Sequence, residues 1–183
     1  MSATKTPICE FGLKAPDFSL PDTDGVIHTL HNSMGGKGLL VMFICNHCPY
    51  VKAVISKIVR DTDELQSYKI NSVAIMSNDP DEYTEDSPQN IKKVAQRNGF
   101  NFPYLFDETQ EIAKAYGAVC TPDFFGYNKD FELQYRGRLD ACGMNRTGKD
   151  IERELFNAMV TISEKQVGPK KQVASIGCSI KWR

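Results

Sequence analysis

Cys45 and Cys48 enclose Asn46-His47. Two thiols at this Cys-x-x-Cys spacing can close a small disulfide ring and reopen it, so the pattern points first to redox chemistry. What they do depends on what positions them. Ahead of them Gly38-Leu39-Leu40-Val41-Met42-Phe43-Ile44 is a short apolar run that reads as a buried strand. Behind them Val51, Val54, Ile55, Ile58, Val59 and Leu65 recur at helical spacing. The order strand, dithiol, helix sets both sulfurs at or before the first turn of a helix. Unpaired N–H groups and the positive end of the helix dipole collect there and favour thiolate over thiol. At least one cysteine should therefore have a lowered pKa and be reactive. Pro49 suits an early helical position, where its missing N–H costs nothing.

Two other readings of the pair exist. It could be half of a zinc site, or two inert core residues. A structural zinc site usually needs a second Cys/His pair at similar spacing, and Cys9, Cys120, Cys142 and Cys178 stand singly.

The whole chain sets bounds. Its 183 residues suit one domain with a sizeable core, spanning 1–183. With 41% hydrophobic and 25% charged residues, it is neither disordered nor membrane-spanning in composition. A net charge of −1 gives no electrostatic case for nucleic acid. Residues 1–16 lack the apolar core of a signal peptide, and the run Leu39–Cys45 is too short to span a bilayer. A cytoplasmic location is expected, with no membrane partner. Six cysteines at mostly irregular spacing do not resemble a secreted disulfide framework.

Around the dithiol, the elements follow from pattern. Residues 1–16 read as a loose lead-in. Asp22-Thr23-Asp24-Gly25 joins two short runs into a hairpin. Ser72–Ser77 reads as a second buried strand, and Asn78–Asp86 as an acidic, solvated loop containing Glu82, Glu85 and Asp86. Ser87-Pro88 opens a helix that Gly99 ends. Phe102–Phe106 is extended. Asp107 with Gln110 reads as a capping box for a helix ending at Gly117. Asn128-Lys129-Asp130 turns a second hairpin. Thr147 with Asp150 opens the last helix. Residues 165–183 form a tail whose late apolar residues suggest that it docks on the domain. The expected architecture is α/β: a mixed sheet with helices on both faces and an N-terminal β-hairpin.

Strand, Cys-x-x-Cys, helix, then Thr121-Pro122 and a β-hairpin resembles the thioredoxin fold. Ala15-Pro16-Asp17-Phe18 and the Asp22–Gly25 hairpin resemble its redoxin branch. Three longer stretches resemble the peroxiredoxin-like, AhpC/TSA-related group that carries a thioredoxin-type Cys-x-x-Cys: Phe43–Lys52, Gly117–Phe125 and Ser175–Trp182. The resemblance implies that Pro122 is cis, lies against the dithiol, and presents backbone to an extended partner chain. It also exposes two departures. If Cys48 is the peroxide-attacking position, the family's proline and threonine positions hold Val41 and Cys45. No arginine stands on the strand beginning near Thr121; the nearest are Arg136 and Arg138. The missing donors argue against a fast peroxidase. His47 precedes the second cysteine, as in strongly oxidising bacterial dithiols, where an imidazolium stabilises the thiolate.

The leading reading is a thiol–disulfide oxidoreductase with Cys45 attacking and Cys48 resolving, needing no metal and no cofactor. Its partners are a protein or small-molecule disulfide or peroxide and a thiol electron donor. The second reading is a peroxidase with Cys48 oxidised and Cys45 or Cys178 condensing with it. The third is a soft-metal site of Cys45, His47, Cys48 and Cys178 for copper or zinc. Cys178, in the tail, and Cys120, two residues before Pro122, are candidate further redox partners. His47, Thr121 and Pro122 are expected as neighbours of the dithiol.

Overall fold

A computed structural model describes residues 3–145 and 151–183. In chain order the elements are β1 (Ala3–Lys5), β2 (Ser19–Pro21), β3 (Ile27–Thr29), α1 (Leu30–Ser33), β4 (Gly38–Phe43), α2 (Pro49–Gln66) and β5 (Ile70–Met76). After a 3-10 turn at Thr84–Asp86 come α3 (Pro88–Asn98), β6 (Tyr104–Phe106), α4 (Glu111–Tyr116), β7 (Cys120–Thr121), β8 (Asp123–Asn128) and β9 (Leu133–Arg136). Helix α5 (Glu154–Lys165) and β10 (Ile176–Ser179) close the chain.

The central sheet has the order β6-β5-β4-β8-β9. Strand β4 runs parallel to β5 and antiparallel to β8. Flanked on both edges, all six β4 residues are buried. The two-residue period then divides them between two cores. Leu40 and Met42 pack with Val51, Val54 and Ile58 of α2 and with Met159 and Ile162 of α5. Leu39, Val41 and Phe43 face α1, α4 and the N-terminal hairpin, meeting Leu30, Ala113, Tyr116 and Phe18. Helices therefore cover both faces of a mixed sheet, the thioredoxin-like arrangement.

Two local expectations need correction. The lead-in is not loose throughout: β1 pairs with β10, which in turn pairs with β7, making a separate three-stranded sheet from both chain ends. Asp107 and Gln110 do not form a capping box. Gln110 is the N-cap residue in a left-handed conformation, and its amide binds the carbonyls of Ser77 and Lys181. The Asp107 carboxylate instead receives the Ala113 N–H at 2.9 Å. Ser87 stands at the N-cap of α3 without a side-chain cap bond, and Pro88 and Gly99 start and end that helix. Thr147 and Asp150 lie outside the described residues, and the helix there begins at Glu154.

Candidate active site

Pro49 is the first residue of α2, which makes Cys48 its N-cap. That single placement separates the two sulfurs. Cys48 lies at the open end of the helix, while Cys45 sits three residues back, beyond the end of β4. Both are buried, at 1% and 0% exposure for Cys45 and Cys48. The Cys45 sulfur is 3.2 Å from the Thr121 hydroxyl, and the Cys48 thiol donates to the Thr121 carbonyl at 3.1 Å. Thr121–Pro122 is cis.

The Cys48 thiol is pushed down to about 4. The largest cause is the hydrogen bond from Cys45; the Thr121 hydroxyl, the Cys178 thiol and the Val51 N–H add to it, and burial opposes them. The Thr121 carbonyl accepts only from the protonated thiol, so it too resists ionisation, but the donors outnumber it. Cys45 moves the other way, well above an ordinary thiol. The hydrogen bond it gives to Cys48 is the first cause, followed by burial and the charge of Asp86. The two shifts are opposed: Cys48 is the sulfur favoured to ionise and Cys45 the one favoured to keep its proton.

Asp86 was expected in solvent and is completely buried. Its carboxylate accepts the Asn46 N–H at 2.7 Å, the Asn78 amide at 2.9 Å and His47 Nδ1 at 2.6 Å. The Thr84–Asp86 turn thus folds beneath the Cys-x-x-Cys loop and holds it. His47 stacks on Tyr83 with ring centroids 4.7 Å apart, and its buried Nε2 has no hydrogen-bond partner among the described residues. It is bound to Asp86. Cys45, His47 and Asp86 offer one ligand atom each within 4.8 Å of one another. A thiolate, an imidazole and a carboxylate suit zinc. This set differs from the sulfur-rich one expected, because a carboxylate enters it.

The remaining cysteines diverge. Cys178 on β10 stands opposite Thr121 in register; burial first, then the neighbouring Cys48, pushes its thiol up to about 12. Cys120 is buried, with its thiol turned to the Pro122 carbonyl at 3.7 Å and raised by burial. Cys9 and Cys142 take no part in these contacts. Arg136 lies in a buried pair with Asp123 at 3.0 Å and donates to the Gly117 carbonyl at 2.7 Å; Arg138 pairs with Glu154 at 2.6 Å. An opening reaches Cys45 from the side. A cavity of about 270 Å³ between α2 and α3 is lined by Cys45, Asn46, Val51, Ile55, Phe100 and Tyr104, with Lys52 and Arg97 also on its wall.

A thioredoxin-like sheet with a buried, asymmetrically ionised dithiol at a helix N-terminus defines an oxidoreductase that works through thiols. Residues 11–141 match the AhpC/TSA family, and the chain belongs to it. The crystal structure of an uncharacterized conserved protein from Geobacillus kaustophilus is 43% identical, covers 100% of this chain and 97% of that one, and superposes with a TM-score of 0.94. The chain is similar to thiol-disulfide oxidoreductase ResA of Bacillus thuringiensis subsp. konkukian (strain 97-27), at 30% identity over 69% of each protein. It is also similar to peroxiredoxin Bcp of Escherichia coli (strain K12), at 25% identity over 70% of this chain and 78% of that protein.

Proposed function

We propose that the protein exchanges disulfides through Cys45 and Cys48, with Cys48 as the ionised sulfur in both halves of the cycle. The observation that carries this is the unequal pair: Cys48, at the N-cap of α2, is the sulfur favoured to ionise, and Cys45 behind it the one favoured to keep its proton. In the first half the Cys48 thiolate attacks one sulfur of a substrate disulfide and expels the other as a thiolate. Cys45 then gives up its proton and attacks Cys48, releasing the second substrate thiol and closing the Cys45–Cys48 disulfide. In the second half a donor thiolate enters the cavity beside Cys45, bonds to that sulfur and expels Cys48. A low-pKa thiol leaves faster, so attack at Cys45 is the favoured direction. A second donor thiolate then displaces Cys45, which regains its proton. The attack order expected from sequence is thereby reversed in the oxidative half.

Stabilising the thiolate of the reduced form makes the disulfide form a better oxidant. The substrates are disulfides and the reductant is a thiol small enough, or extended enough, for the cavity at Cys45. We extend the proposal to a reducing, cytoplasmic compartment, supported by six cysteines whose mostly irregular spacing does not resemble a secreted disulfide framework. The test is single-turnover reaction of the reduced protein with hydroxyethyl disulfide, with bonds mapped by mass spectrometry. A Cys45–Cys48 disulfide is expected, and Cys48→Ser should abolish the first step. Free thiols at both positions after the reaction would end the proposal.

A further inference from the structure

The dithiol is covered by the chain's own C-terminal strand. Strand β10 pairs with the backbone of Cys120 and Thr121, immediately before the cis proline. That is the edge where an extended partner chain was expected. The approach is close: a Cβ on Gly177 would collide with the Thr121 carbonyl oxygen. Ser175 fixes the entry to the strand by donating to the Pro122 carbonyl at 2.8 Å, and Lys181 fixes its exit, donating to Asn78 Oδ1 at 2.9 Å. Between those clamps the residue opposite Thr121 is Cys178. The Thr121 carbonyl lies 3.1 Å from the Cys48 sulfur, so the register brings Cys178 beside Cys48, and both are buried in one core cluster.

From this geometry we infer that Cys178 is a third redox thiol, which resolves disulfides formed at Cys48 and ties β10 to the active site. The inference rests on the disulfide exchange proposed above. When Cys48 carries a substrate sulfur, Cys178 loses its proton and attacks the Cys48 sulfur. The Cys48–Cys178 bond forms, the bond to the substrate sulfur breaks, and the substrate leaves with the electron pair and takes up the proton. No oxidant beyond the substrate disulfide is needed. The same event removes an obstacle. Contact with Cys48 is among the causes that hold Cys178 protonated, and that charge disappears once Cys48 is bonded to another sulfur. Cys45 and Cys178 thus flank one electrophilic sulfur, the first fixed beyond the end of β4 and the second on a terminal strand.

The test uses the full chain with hydroxyethyl disulfide, acid-quenched, alkylated and mapped. In Cys45→Ser, one equivalent of thiol should first be released with a Cys48 adduct. A second equivalent should follow as the adduct is lost and Cys48–Cys178 appears. Cys45→Ser combined with Cys178→Ser should stop at the adduct. In the unmodified protein, Cys178 should become partly protected from alkylation during turnover, a readout that needs no variant. If Cys45→Ser retains its adduct while Cys178 stays fully alkylated, and the unmodified protein forms only Cys45–Cys48, the third-thiol inference is wrong and the exchange proposal stands. If the unmodified protein forms no Cys45–Cys48 bond either, both fall together.

Discussion

Replacing Cys45 with alanine should raise the pKa of Cys48, because the Cys45 hydrogen bond is the largest cause of its depression. A hydrogen bond to a charged group is worth about 1.5–3 kcal/mol. At 1.36 kcal/mol per pKa unit, its loss corresponds to about 1–2 units. Cys48 should move from about 4 to about 5–6 by that estimate. It should remain below an ordinary thiol, because Thr121, Cys178 and the Val51 N–H still face it. Alkylation is a poor probe of a sulfur buried this deeply. Far-ultraviolet thiolate absorbance against pH reads it directly, in a background where Cys142 is serine. The other shifted thiols lie above the ordinary 9.0, with Cys9 at about 11 and Cys178 at about 12, so the acid-side step belongs to Cys48. A midpoint near 9 in the parent protein would refute the assignment of charge. An acid-side midpoint that Cys45→Ala leaves unmoved would refute the assigned cause.

Three further outcomes follow from the same contacts. A thiol depressed from 9.0 to about 4 adds stability that is complete above the unfolded value and disappears as pH falls through the folded one. Only the reduced protein has it, so the melting-temperature gap favouring the reduced form should narrow steadily from pH 9 to pH 4; a constant gap contradicts the thiolate. Gly177→Ala should destabilise the protein by about 1–3 kcal/mol, the usual range for overpacking, and should speed reaction of the dithiol with an aromatic disulfide; unchanged melting and reactivity would show that β10 does not seal the site. Hydrogen peroxide should oxidise the reduced protein no faster than an ordinary reactive thiolate, as followed by stopped-flow fluorescence, and a rate typical of dedicated peroxidases would require a donor not identified in the site.

The dithiol and its frame were legible because they are local. An apolar run, two cysteines, a proline and a helical repeat lie within thirty residues, from Gly38 to Gln66, and each sets its own neighbour's conformation. Asp86 was not legible. It stands in an acidic stretch beside Glu85, and only Asn46, His47 and Asn78 distinguish it, through bonds that tertiary folding creates. The second sheet was hidden for a related reason. Strands β1, β7 and β10 have three, two and four residues, too short for a period, and they pair across most of the chain's length. Beyond the late apolar residues of the tail, Gly177 was a sign, since a glycine between apolar residues marks a close backbone approach. Gln110 misled because its amide has a tertiary task, linking Ser77 to the C-terminal segment, that overrides local capping.

The choice between peroxide and disulfide chemistry turns on what must stabilise the leaving group. Peroxide cleavage expels hydroxide, whose charge needs a strong donor at the site. Cys45 occupies the threonine position and is a weak donor. Arg136, the arginine nearest in sequence to the Thr121 strand, is held on three sides: by Asp123 at 3.0 Å, by the Gly117 carbonyl at 2.7 Å and by the Phe125 ring, 4.4 Å from its carbon. Drawing it away would leave Asp123 buried and uncompensated, a change that costs about 3–5 kcal/mol when a buried pair is broken. That cost is comparable to the benefit a single oxyanion donor brings, about 2.7–4 kcal/mol. Recruiting Arg136 therefore gains nothing. Disulfide exchange has no such requirement, because the leaving thiolate carries its own charge in a large, polarisable atom. When Cys48 is the one that leaves, the helix N-terminus, Thr121 and the two flanking thiols already stabilise it. The site is organised around a stable sulfur anion, and exchange between sulfurs is the reaction that uses one at every step.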